Sequence, residues 1–79
     1  MSKAEQIVTK ALKEHFGPDT PITPKSHLID DLDGDEMDTI EISVAIEEKL
    51  GITIPEDVIE KIATVGDLIK AVENASGNI

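Results

Sequence analysis

Apolar residues recur along this chain mostly at three- and four-residue steps, the spacing that places side chains on one face of a helix. The first stripe, Ala4, Ile7, Val8, Ala11 and Leu12 with Phe16 beyond it, predicts a helix over about Lys3 to His15. Ser2 and Glu5 have capping-box spacing at its start, and Gly17 supplies a left-handed stop. Pro18, Pro21 and Pro24 then forbid regular helix. The long connection still carries Leu28, Ile29 and Leu32, so it is expected to lie across the core. Loops of roughly 18 residues are uncommon in compact domains and often functional.

Asp35 is an N-cap candidate with Asp38 three residues on, and a second helix is predicted from Glu36 to Leu50, ended by Gly51. Its apolar positions cover more than one line: Met37, Ile40 and Val44 on one, Ile42 and Ile46 on another, with Met37 expected at the core rim. Ile52 to Pro55 reads as extended, followed by a short helix with an acidic start at Glu56 and Asp57. Thr64 and Asp67 offer another cap, and Val65, Leu68, Ile69 and Val72 predict a last helix ending near Glu73. The alternation at Ile52 and Ile54 is too short to pair as a strand. The fold class is therefore all-α: a four-helix bundle with three main helices, a short third helix and a long first loop. One domain over residues 1–79 is expected, with 74–79 as a frayed tail.

Charge narrows the partners. Seventeen acidic residues against seven Lys and no Arg give a net charge of −10, which opposes binding to nucleic acid and to anionic lipid surfaces. Partners should be basic. No run approaches a membrane span, and the first ten residues lack the apolar stretch of a signal peptide. Without Cys there is no disulfide, thiol nucleophile or Cys-based zinc site. The expected setting is the cytoplasm and the expected state a monomer.

Six carboxylates crowd the nine residues from Asp30 to Asp38. The EF-hand pattern fails there: counted from Asp31, Gly34 falls at the fourth position and Ile42 at the twelfth. A looser site for Mg or Ca at Asp30, Asp31, Asp33, Asp35 and Asp38 stays open, and so does simple complementation of the helix dipole. Paired carboxylates could also serve as acid and base, but nothing in a chain this small builds the walled pocket that separates their pKa values. His15 and His27 lie far apart in sequence and near no Ser-centred signature, so both read as surface or satisfied residues, and no enzyme is expected. Glu41, Ile42, Val44, Glu47 and Glu48 on the second helix read as a docking face, with small apolar anchors ringed by charge.

Several segments carry a resemblance that covers nearly the whole chain. They are Asp30-Asp31-Leu32, Asp38-Thr39-Ile40-Glu41, Ala45-Ile46-Glu47-Glu48-Lys49-Leu50-Gly51, Ile54-Pro55-Glu56 and Ile62-Ala63-Thr64-Val65-Gly66-Asp67. In this order the chain resembles the acyl carrier protein family. The resemblance implies a carrier-type four-helix bundle whose core shelters an acyl chain. It also implies that the acidic second helix docks on basic patches of enzymes of fatty-acid, related lipid or polyketide synthesis. The family attaches 4′-phosphopantetheine to a serine in an Asp-Ser-Leu motif, and the matching triplet here is Asp35-Glu36-Met37. A carboxylate cannot form that phosphodiester, so the resemblance implies that Glu36 removes the attachment point, and no cofactor is expected on the chain as written. Three readings stay open: an unmodified family member that works by binding partners, an ordinary acyl carrier whose serine has been substituted, and an acidic bundle that binds cations or scaffolds an assembly.

Overall fold

The computed structural model describes residues 3–77. Among them the chain forms four helices: α1 (Lys3–Phe16), α2 (Glu36–Leu50), α3 (Glu56–Glu60) and α4 (Val65–Ser76). The predicted α2 bounds agree with the structure, and α1 runs one residue further than expected. The proposed cap at Ser2 lies outside the described residues. The last helix continues past Glu73, because Ala75 packs on the core and Ser76 Oγ donates back to the Val72 carbonyl at 2.7 Å. Residues 74–76 are therefore helix and not frayed tail, while 78 and 79 lie outside the described residues.

The core is aliphatic. Val8 and Leu12 of α1, Ile42 and Ile46 of α2, and Leu68 and Val72 of α4 are buried together. Leu28 and Leu32 join them, so the long loop crosses the core as its apolar residues predict, whereas Ile29 points outward at 50% exposure. Three backbone hydrogen bonds pin that loop to the start of α4: Leu28 N–H to Ala63 O, Val65 N–H to Ser26 O and Gly66 N–H to Pro24 O. They frame the isolated antiparallel bridge between His27 and Thr64. The loop closes just before α2, where a Cβ added to Gly34 would stand 2.9 Å from both the Leu28 carbonyl oxygen and the Phe16 ring. Glycine is required there because the end of α1 and the entrance to α2 touch.

Both long-helix entrances that follow loops are closed by capping boxes. At α4, Thr64 Oγ1 accepts from Asp67 N–H, while Asp67 Oδ2 accepts from the N–H groups of Thr64 and Ala63. The Thr64 N–H, then that of Ala63, holds the Asp67 carboxyl below the usual carboxylate range. A carboxyl depressed in the folded state stabilises fully above its unfolded pKa of about 4, and this support is lost as pH falls through the folded value. Asp67→Asn keeps an acceptor but removes the titration. Its melting temperature should consequently fall less than that of the parent chain between pH 5 and pH 3; equal falls would contradict the capping account.

Candidate functional site at the start of the second helix

Asp35 enters α2 with an extended backbone (φ −138°, ψ −175°), and its Oδ1 accepts from Asp38 N–H at 3.1 Å. In return Asp38 Oδ2 accepts from Asp35 N–H at 2.8 Å, completing the box. Glu36 is the first helical residue and is exposed. Its carboxylate sits where the unpaired N–H groups and dipole of a helix favour negative charge.

The helix presents several different sides. Thr39, Ile42, Ser43 and Ile46 face inward and are buried. Met37 and Val44 face outward at 61% and 42% exposure, with exposed Glu41 and Glu48 interleaved on the same line at four- and three-residue steps. Two expectations change here. Ile42 is 2% exposed and belongs to the core, so it is not available to a partner, and Met37 stands in solvent instead of packing at the core rim. Packing against α1 and α4 decides both: it turns the line of Thr39, Ile42 and Ile46 inward, and Met37, in register with Val44, is left outside. Glu47 is also partly withdrawn, since its Oε2 accepts from Ile54 N–H at 2.6 Å and ties the segment after α2 to the helix.

On the side toward α3, Ile29, Glu36, Thr39, Ile40, Ile59, Glu60 and Ile62 line an open groove of about 410 Å³. Two of these residues are acidic, Glu36 from the start of α2 and Glu60 from the end of α3, and the flanking apolar side chains come from three separate segments of the chain. Their convergence was not legible in the sequence, because nothing in a single chain reveals which face of α3 meets α2.

Ser43 lies two turns from Glu36 and is completely buried, and its Oγ has no hydrogen-bond partner. A hydroxyl that leaves water without a partner costs about 1–3 kcal/mol. Ser43→Ala is therefore expected to raise stability by about 1 kcal/mol, read as a higher urea midpoint at unchanged slope. A loss of stability would show instead that the hydroxyl is paired within the helix.

Part of the acidic stretch at the entrance of α2 is occupied by backbone donors. Asp31 Oδ2 accepts from His27 N–H at 2.8 Å, and Asp35 and Asp38 serve the capping box. Among the described residues, the group of metal-ligating side chains that converges is His15, Asp38 and Glu41, whose ligand atoms lie within 4.8 Å of one another. Of the five aspartates expected to form a cation site, Asp38 alone belongs to it; Asp30, Asp31, Asp33 and Asp35 do not. His15 Nε2 donates to Asp38 Oδ1 at 2.7 Å, a link between the end of α1 and the start of α2. This bond, followed by that from the Asp35 backbone, holds the Asp38 carboxyl below the usual carboxylate range. Separated by 23 positions, the two residues gave no sequence signal of their pairing. His27 remains an exposed surface histidine.

Residues 5–72 match the family described as the phosphopantetheine attachment site. The chain belongs to this acyl carrier protein family. Its members are carriers of acyl chains and not catalysts, and 4′-phosphopantetheine is their cofactor. Attachment as a phosphodiester requires a hydroxyl, and the residues at the entrance of α2 do not fit that requirement. Glu36 offers a carboxylate. Thr39 and Ser43 are buried in the core, Ser26 lies in the long loop bonded to Thr23, and Ser76 closes the far end of α4. No described helix is long and apolar enough to cross a membrane.

Proposed function

We propose that this chain is an acyl-carrier-family protein that docks on enzymes of acyl-chain synthesis or transfer through α2, while Glu36 occupies the position at which the family carries its prosthetic group. The observation that carries this reading is the outward line of α2, where exposed Met37 and Val44 alternate with Glu41 and Glu48. Apolar anchors edged by carboxylates suit a basic patch with small pockets, since charge steers the encounter and the anchors hold the complex. The net charge of −10 strengthens this steering over a longer range. Glu36 adds an anion beside the α2–α3 groove, where a phosphodiester would otherwise place one, so that the chain presents the charge pattern of a loaded carrier without a thiol. The fatty-acid, related lipid and polyketide systems all offer enzymes of this kind. We place the chain in the cytoplasm, acting as a monomer.

Reversal of two surface charges tests the docking face. In a binding assay against a carrier-dependent acyltransferase or synthase, Glu41→Lys with Glu48→Lys should weaken binding at least tenfold, mainly through slower association at low salt. The same reversal at Glu56 and Asp57, on α3, should change it less. Equal effects from both pairs would show that net charge alone matters and would remove α2 as the docking element.

A further inference from the structure

The carboxylates around Asp35 are explained by the needs of a helix N-terminus, but the imidazole beside them is not. His15 reaches Asp38 from the last turn of a different helix, edge-on to the neighbouring Phe16 ring with centroids 4.9 Å apart. Asp38 is held from the other side, because its Oδ2 accepts from the Asp35 backbone and leaves Oδ1 aimed at His15. Glu41 follows Asp38 by three residues, so its exposed carboxylate rises from the same side of α2.

We propose that His15, Asp38 and Glu41 form a binding site for a divalent transition-metal ion such as zinc, bridging the end of α1 to the start of α2. The donor set is one imidazole nitrogen and two carboxylates, with water completing the shell. Nitrogen favours zinc, cobalt or nickel over magnesium and calcium, which prefer oxygen alone. Ligands about 2.1 Å from a tetrahedral zinc ion stand about 3.4 Å apart, so His15 Nε2 and Asp38 Oδ1, now hydrogen-bonded at 2.7 Å, must spread by about 0.7 Å to admit the ion. The ion takes the place of the proton shared between His15 Nε2 and Asp38 Oδ1, which leaves to solvent, and the imidazole binds the ion through Nε2. Glu41, whose carboxylate lies within 4.8 Å of the other two ligand atoms, closes onto the ion by rotating a solvent-exposed side chain. Two carboxylates and a neutral imidazole balance the charge of a divalent ion, and Asp35 N–H orients the Asp38 ligand from behind.

The consequence is a clamp between the last turn of α1 and the first turns of α2, added to the core packing the two helices already share. Calorimetric titration of zinc chloride into chelator-treated protein tests it, with ring-proton NMR of the two histidines as a second readout. One ion should bind, shifting the His15 signals while those of His27 stay in place, and His15→Gln or Glu41→Gln should each weaken binding roughly tenfold or more. His27→Gln should leave affinity unchanged, and magnesium should bind the parent chain and His15→Gln alike. Circular dichroism of each variant reports whether the bundle is intact. Zinc affinity unaffected by His15→Gln in a folded variant, or the absence of any one-to-one binding, would overturn the proposal and leave His15 and Asp38 as a hydrogen-bonded pair only.

Discussion

Truncation of Ile46 to alanine should destabilise the bundle by about 2–5 kcal/mol, whereas the same truncation at Ile40, six residues away on the same helix, should cost well under half as much. Ile46 has no exposed surface and packs within the cluster formed by α1, α2 and α4, so its removal forfeits the transfer free energy and leaves a cavity as well. Ile40 is 46% exposed and lies at the open groove, where solvent or neighbouring side chains fill the space. At roughly 0.05–0.15 kcal/mol per residue, a chain of this size has only about 4–12 kcal/mol in hand, so the loss at Ile46 amounts to a large fraction of its stability. For a small domain it corresponds to a fall in melting temperature of roughly 10 °C or more. Thermal unfolding followed by circular dichroism distinguishes the two variants. Equal losses would mean that α2 is not seated with Ile42 and Ile46 inward, and the outward docking line would go with it.

Glu36→Ser should turn the chain from an inert protein into a substrate for a phosphopantetheinyl transferase and coenzyme A. The change leaves the capping box between Asp35 and Asp38 intact and removes one favourable charge at the helix N-terminus, worth about 0.3–1 kcal/mol, so the fold should persist. The new hydroxyl would stand exposed where the helix begins, the arrangement the family's chemistry requires. Glu36→Gln removes the charge without supplying a hydroxyl and should gain nothing, which separates the missing nucleophile from the altered electrostatics. A Glu36→Ser variant that folds and still resists modification would show that the surface around α2 has diverged from carrier duty beyond this residue.

The helices were legible where caps and period agreed. Asp35 with Asp38, Thr64 with Asp67, and the Gly51 stop all read correctly because capping is a local interaction written within four residues. The end of α4 was misread because Ser76 and Ala75 are held by packing and by a side-chain bond to Val72, neither of which leaves a strong local mark. At α2 the sequence revealed two apolar lines but not which one turns inward; contacts with α1 and α4 decide that, and they placed Ile42 inside and Met37 outside. The pairing of His15 with Asp38 depends on how α1 and α2 cross, so no spacing rule could have found it. Glu36 stood out from the motif alone, because the residues around it match the family while its chemistry does not.

The most direct measurement is the intact mass of the unaltered chain after incubation with a phosphopantetheinyl transferase and coenzyme A, alongside Glu36→Ser treated in the same way. The account predicts no change for the chain with Glu36 and the gain of one phosphopantetheine for the serine variant. Addition of the prosthetic group to the unaltered chain would contradict it.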